Sequence, residues 1–138
     1  MVSIRKLLDV GRNKFNEEFK TTILLIKFDS SNYQISEMQD VTSLNQNELH
    51  NKVHEEFNRL SDTQGLKVEA FKDKESFLSK DINFVQIRLF LEAYFQSKQE
   101  NKLYLDKAIA LADDCGFTTE FNKMYYYFLS VFSDVEKC

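Results

Sequence analysis

Aromatic residues recur at helical spacing near the C-terminus of the chain. The repeat advances by four, three and four residues and consists of Phe121, Tyr125, Phe128 and Phe132. This spacing places them on one face of a helix, and Met124, Tyr127 and Val131 widen that face. A helix so apolar needs cover on two sides, from its own domain or from a second chain. Tyr126 lies roughly opposite Phe128 and is the tyrosine expected to stay exposed.

Two more helices are predicted upstream of this one. From Asp81 to about Phe95 the chain carries apolar residues on nearly every side of a helix. Leu103–Ala112 forms the next helix, and Gly116 supplies a left-handed stop after it. The C-terminal part is therefore predicted to be a three-helix subdomain.

Polar residues predict where the remaining helices begin. A first amphipathic helix is expected over residues 3–20. Ser43 followed by Gln46 matches a capping box and should start a second helix. Thr118 or Thr119 is expected to cap the last helix. The stripe expected to be buried in the second helix comprises Leu49, Val53, Phe57 and Leu60.

Alternating residues predict a small sheet in the first half. Thr22–Phe28 is a strand rich in β-branched residues, and it ends at the turn-forming run Asp29–Asn32. Alternation resumes at Tyr33 as the partner strand of a hairpin, but it is lost near Glu37–Val41, where the strand should fray. Leu66–Ala70 alternates as a third strand.

These elements predict one α+β domain over residues 1–138. A small antiparallel sheet of about three strands with two helices occupies 1–72, and the three-helix subdomain occupies 81–138. No linker separates the two parts, so the chain is expected to form one domain.

Composition narrows the class of protein. The chain of 138 residues is 43% hydrophobic and 29% charged, which suits a compact domain and argues against disorder. A formal net charge of −4 argues against a nucleic-acid partner. No apolar run approaches the roughly 18 residues of a membrane span. Two cysteines make no disulfide framework, and no secretory signal is recognisable, so a cytoplasmic location is expected.

Little in the sequence points to catalysis. His50 and His54 lie one helical turn apart, a spacing that can hold one metal ion, but no third ligand is evident. They are weak metal candidates, and two exposed histidines are the expectation. Cys115 has no histidine nearby in sequence, and the three glycines stand alone, so neither a nucleophile pair nor a phosphate loop is present. We expect no enzyme activity, no metal and no cofactor.

The tyrosines favour protein binding instead. Tyrosine is common at protein interfaces because it buries a large ring while its hydroxyl stays hydrated. Asp113 and Asp114 end a helix where acidic residues oppose the helix dipole, which hints at a binding role. The candidate partner-binding residues are Tyr104, Asp113, Asp114, Glu120, Tyr125 and Tyr126.

The expected function is that of a non-enzymatic protein-binding module, such as an immunity or inhibitor protein or a secretion-type chaperone. The acidic residues would steer a partner with a basic surface, and the aromatic residues would provide affinity. Two alternatives remain open. One is a small enzyme or a ligand or metal sensor with its pocket between the sheet and the C-terminal helices, and the other is a homodimer that buries the tyrosine-rich helix.

Overall fold

The structure, a computed structural model, describes residues 21–72 and 75–136, with side chains as far as Phe132. The predicted helix over residues 3–20 lies outside these residues. The chain divides into two compact units. Among the described residues, one unit comprises 21–30 with 35–72 and 75–80, and the other comprises Ser31–Gln34 with 81–136. The α+β class is confirmed.

The first unit contains a three-stranded antiparallel sheet. Its strands are β1 (Thr22–Asp29), β2 (Ile35–Asp40) and β3 (Gln64–Phe71), and their order is β2-β1-β3. The hairpin and the third strand are thus confirmed. Three consecutive residues of β1, Leu24, Leu25 and Ile26, are at most 4% exposed. Successive strand residues point to opposite faces, so the central strand is covered on both.

The predicted fraying of β2 is wrong. The strand pairs with β1 along its length, from Phe28 opposite Ile35 to Leu24 opposite Asp40. The Val41 amide then donates to the Ile23 carbonyl at 2.9 Å. Pairing depends on main-chain bonds, which do not require the side chains to alternate. The loss of apolar–polar alternation in the sequence of β2 indicates only that most of its side chains are exposed.

Helix α1 (Gln46–Asn58) follows the hairpin, but its cap is not the predicted one. Asn45 is the N-cap, and its side chain accepts from the Glu48 amide at 2.8 Å. Glu48 in turn accepts from the Asn45 amide at 3.1 Å, which completes a capping box. The prediction of Ser43 with Gln46 is wrong because Ser43 lies within a turn, which the Leu44 amide closes by donating to Val41.

The predicted buried stripe of the second helix is wrong at Phe57, whereas Leu49, Val53 and Leu60 are half-buried. Phe57 is 64% exposed, and the one residue of the helix that is buried is Glu56. The Glu56 carboxylate lies 3.2 Å from Lys27 Nζ on β1, so this helix meets the sheet through an ion pair. The hydrophobic spacing does not show this arrangement, because Lys27, the cation nearest to the buried carboxylate, is distant in sequence.

The second unit contains three helices, as predicted. They are α2 (Ile82–Gln96), α3 (Lys102–Cys115) and α4 (Thr118–Glu136). A single 3₁₀ turn at Leu78–Lys80 precedes them in the chain. Helix α2 is the core element, and its fully buried side chains include Phe84, Val85, Ile87 and Leu91.

The junction between α3 and α4 is a tight turn. Gly116 follows α3 with φ 74°, the left-handed stop that the sequence predicts. The cap predicted at Thr118 or Thr119 is wrong, because α4 already begins at Thr118 and Phe117 precedes it. The Phe117 amide donates to the Ala112 carbonyl at 2.8 Å, which ties the turn back to α3.

Candidate functional site

Helix α4 packs on α2 through an aromatic cluster centred on Phe95. Phe95 is 2% exposed. Three α4 rings have their centroids 5.4, 5.9 and 5.6 Å from its own, and these are Tyr125, Phe128 and Phe132. Phe121 and Met124 are buried beside them in the same unit. The predicted apolar face of the last helix is therefore its inner face.

The outer surface of α4 carries two adjacent tyrosines. Tyr126 is 68% exposed, as the sequence predicts, and Tyr127 is 60% exposed. Tyr127 and Val131, which widen the predicted apolar face, are not covered by this unit, since Val131 is also 40% exposed. We call Tyr126, Tyr127 and Val131 the tyrosine face.

Tyr125 connects the tyrosine face to the core. It is half-buried, and its ring meets the Tyr126 ring edge-on at 5.8 Å and stacks on Phe121 at 6.2 Å. Burial raises the pKa of the neighbouring Tyr94, and the nearby Tyr125 phenol adds to the rise. These contacts hold the ring beneath Tyr126 in place, so Tyr126 rests on a packed support.

The predicted acidic residues lie together at the α3–α4 turn. Asp113 and Asp114 are exposed in the last turn of α3, and Glu120 is in the first turn of α4. The Thr118 hydroxyl lies 3.3 Å from Asp113 Oδ1, so the Asp113 side chain reaches the start of α4. We call Asp113, Asp114 and Glu120 the acidic corner. Tyr126 lies six residues after Glu120, roughly 9 Å along the helix axis.

Lys123 lies on α4 between the acidic corner and the tyrosine face. Lys123 is exposed and lies three and four residues before Tyr126 and Tyr127, the spacing of neighbours on one helix surface. The candidate face is therefore mixed in charge, with its acidic groups at one end.

Tyr104 belongs to a different set of contacts. Its ring meets Tyr33 edge-on at 5.2 Å and stacks on Phe90 at 6.3 Å. Its hydroxyl donates to the Ser31 carbonyl at 3.2 Å. These bonds hold the segment Ser31–Gln34 within the helical unit. Of the six residues predicted for binding, Tyr104 is the one whose ring and hydroxyl both make intramolecular contacts.

The buried side-chain amide of Gln86 also contacts the segment Ser31–Gln34, and the sequence did not predict this contact. Gln86 is 3% exposed, and its Nε2 donates to the Tyr33 carbonyl at 2.8 Å. Tyr33 has φ 60°, an uncommon conformation for a residue with a side chain. Gln86 and Tyr33 are 53 residues apart, so no local pattern indicates their contact.

The histidine pair gives no metal centre in the described structure. His50 and His54 are both exposed on α1. Within residues 21–72 and 75–136, no group of three His, Cys, Asp or Glu side chains is placed to hold a metal ion. The pair therefore supplies at most two ligands from this part of the chain.

The first unit has an ion network but little space beside it. Glu56 lies 3.2 Å from Lys27 and 3.4 Å from Lys52, and Lys27 lies 3.6 Å from Glu37. The hydrogen bond from Lys27 is the main reason that the pKa of Glu56 is lowered. The depression next to them has a volume of about 10 Å³, room for about one water molecule. Its lining residues are Leu25, Lys27, Glu37, Gln39, Glu56 and Leu66.

No family model, curated protein or solved structure matches this chain. In the part of the chain that the structure describes, no helix has both the length and the apolar character needed to cross a membrane.

Proposed function

We propose that the protein is a non-enzymatic protein-binding module that holds its partner on the tyrosine face and the acidic corner. The observation that carries the proposal is the 68% exposure of Tyr126 on a helix whose opposite face is buried. A large aromatic ring left in water on a rigid element is typical of an interface anchor.

The support beneath the tyrosines favours binding. The Tyr126 ring contacts Tyr125, whose ring lies 5.4 Å from the buried Phe95. A supported side chain loses less freedom on association than an isolated flexible one. Tyr126 therefore offers its contact area at a small entropic cost.

The acidic corner favours a partner with a basic surface. Asp113 and Asp114 are exposed, and exposed charges change the rate of encounter more than the lifetime of a complex. Lys123, between the corner and the tyrosines, favours an acidic group at the matching place on the partner. An immunity or inhibitor protein or a secretion-type chaperone, acting in the cytoplasm, has this mode of action.

The test is capture of the partner from the cells that make the protein. The tagged chain is compared with the double variant Tyr126→Ser, Tyr127→Ser, and with Phe57→Ser as the matched control. Phe57 is a similarly exposed aromatic residue, at 64%, but lies in the other unit. We expect one protein recovered in near-equimolar amount with the wild type and the control and lost with the double variant. Equal recovery with all three would contradict the proposal.

The role of the acidic corner has a separate kinetic test. With the partner in hand, Asp113→Asn, Asp114→Asn should slow association, weaken its dependence on salt and leave dissociation nearly unchanged. If dissociation accelerates instead while association is unaffected, the corner is a contact and not a steering group.

A further inference from the structure

Tyr94, near the end of α2, has a buried ring and a hydroxyl without an intramolecular partner. The residue is 6% exposed, and its ring meets the Phe95 ring edge-on at 5.2 Å. Its main-chain carbonyl accepts from the Ser97 hydroxyl at 2.6 Å, but its own hydroxyl makes no hydrogen bond with any group that the structure describes. Most buried polar groups in proteins are hydrogen-bonded, so this hydroxyl points to a bond that is made outside the chain.

The Tyr94 hydroxyl adds little to the stability of the fold. A hydroxyl stabilises a folded protein through the hydrogen bonds that it makes there. Phe128 and Phe132 pack on the same Phe95 ring without a hydroxyl, at centroid distances of 5.9 and 5.6 Å. A phenylalanine at position 94 would keep the ring contact as well. Packing therefore does not account for the hydroxyl.

Tyr125 brings a second phenol to the same place. Its ring lies 5.4 Å from the Phe95 ring, so both tyrosines pack on one phenylalanine. The phenol of Tyr125 is close enough to that of Tyr94 to add to the rise in the pKa of Tyr94. In the described part of the chain, the Tyr125 hydroxyl also makes no hydrogen bond. Two hydroxyl donors without acceptors therefore lie near each other.

This pair of phenols adjoins the tyrosine face. The Tyr125 ring meets the Tyr126 ring edge-on at 5.8 Å, and Tyr126 is 68% exposed. Tyr125 itself is half-buried, so its ring is still partly open to solvent. A partner that covers Tyr126 therefore also reaches Tyr125.

The surroundings of the pair favour an uncharged acceptor. A phenol ordinarily ionises near pH 10, at about three pH units above neutrality, and burial raises the pKa of Tyr94 further. The Tyr94 hydroxyl is therefore a neutral donor at neutral pH. Burial that opposes a phenolate also opposes a carboxylate at the same place. A main-chain carbonyl oxygen brings no charge and has two lone pairs, so it can accept from two hydroxyls.

We propose that Tyr94 is a further partner-binding residue, and that the Tyr94 and Tyr125 hydroxyls together donate to a main-chain carbonyl oxygen of the partner protein. The inference rests on the proposed function, because this partner is the protein that covers Tyr126. The two phenols fix the position of the partner's main chain, whereas Tyr126 and Tyr127 supply contact area.

Two Tyr→Phe variants separate this role from a structural one. Tyr94→Phe should keep the free energy of unfolding in urea. It should raise the dissociation constant for the purified protein that the wild type recovers from cells by about three- to tenfold, the range for one neutral hydrogen bond. Tyr104→Phe is the matched control, since the Tyr104 hydroxyl donates to the Ser31 carbonyl at 3.2 Å in the same unit. It should lower the free energy of unfolding and leave the dissociation constant unchanged.

The outcomes distinguish failure of this inference from failure of the proposed function. If Tyr94→Phe destabilises the free chain as much as Tyr104→Phe does, the Tyr94 hydroxyl has a partner within the chain and the inference is overturned. The same follows if Tyr94→Phe binds as tightly as the wild type a protein that Tyr126→Ser, Tyr127→Ser no longer binds, but the proposed function then stands. An increase above about thirtyfold would indicate a charged acceptor and overturn the assignment of a main-chain carbonyl. Recovery of no protein with the wild type would contradict the proposed function and this inference with it.

Discussion

Glu56 is the buried residue of helix α1, and it meets strand β1 through charge and not through an apolar contact. Its buried carboxylate lies 3.2, 3.4 and 3.8 Å from the cations of Lys27, Lys52 and Arg59. Removing one member of a partly buried ion network leaves the others with uncompensated charge. The contact between α1 and β1 therefore depends on the ionised state of this side chain.

We expect Glu56→Gln to lower the stability at neutral pH and to weaken its loss in acid. The pKa of Glu56 is lowered in the folded protein, mainly by the hydrogen bond from Lys27. The unfolded chain then binds the proton more readily, so the stabilisation is present above the ordinary glutamate pKa and is lost as pH falls through the lowered value. Urea unfolding of both proteins from neutral to acidic pH measures the difference.

Glu55→Gln is the control for this prediction. Glu55 pairs with Arg59 at 2.8 Å, but both side chains are more than half exposed. Exposed pairs contribute at most about 1 kcal/mol, so this variant should differ little from the wild type at any pH. If the free energy of unfolding of Glu56→Gln ran parallel to that of the wild type over this pH range, the Glu56 carboxylate would not be the cause of the acid destabilisation.

The sequence could not reveal this residue. Periodicity along α1 assigned burial to Phe57, which is 64% exposed, and missed Glu56 beside it. A hydrophobic pattern identifies the apolar residues of a helix, but Lys27, whose hydrogen bond lowers the pKa of Glu56 most, lies on another element, 29 residues away in sequence.

At the scale of elements, the start of α1 depends on Asn45. We expect Asn45→Ala to lower the free energy of unfolding by about 1 kcal/mol, because the Glu48 amide loses its acceptor. Ser43→Ala, two residues upstream, should change it by less than about 0.5 kcal/mol. Chemical denaturation of both variants decides between the two caps, and a larger loss for Ser43→Ala would contradict the structure.

The turn between α3 and α4 depends on the backbone of Gly116. At φ 74° a Cβ would have no heavy atom within 4 Å, so the cost of a side chain there is conformational and not steric. Gly116→Ala should destabilise the protein by about 1 kcal/mol, and Gly116→Asn by less, since asparagine tolerates this conformation better. In thermal unfolding, the wild type should have the highest midpoint temperature, Gly116→Asn a lower one and Gly116→Ala the lowest. Equal values for alanine and asparagine would contradict this explanation.

The elements themselves were predictable, whereas several of their ends were not. The runs Thr22–Phe28 and Leu66–Ala70 have strong strand composition, and the helix after Asp81 is too apolar to be a loop. The caps were misplaced because Ser43 and Asn45 can both cap a helix, and only the backbone conformation decides between them. The end of β2 was mispredicted because main-chain hydrogen bonds to β1 form it, and the pattern of side chains does not indicate these bonds.

Across the whole molecule, the sequence predicted that an exposed tyrosine and a group of acidic residues would be present, but it did not predict every residue of the candidate surface correctly. Tyr126 is exposed as expected, and the acidic corner is assembled at the turn after α3. Tyr127 is exposed beside Tyr126. Tyr104 makes contacts within its own unit, because its ring lies between Tyr33 and Phe90, a neighbourhood that no spacing in the sequence predicts.

Site-specific photocrosslinking in the cells that make the protein tests most directly whether Tyr126 contacts a partner protein. A photoreactive phenylalanine analogue is placed at Tyr126 in one protein and at Phe57 in another. The two positions are 68% and 64% exposed, so they sample solvent similarly. We expect one major covalent adduct with another protein from position 126 and none of the same mass from position 57. No adduct at position 126, or the same adducts from both positions, would contradict it.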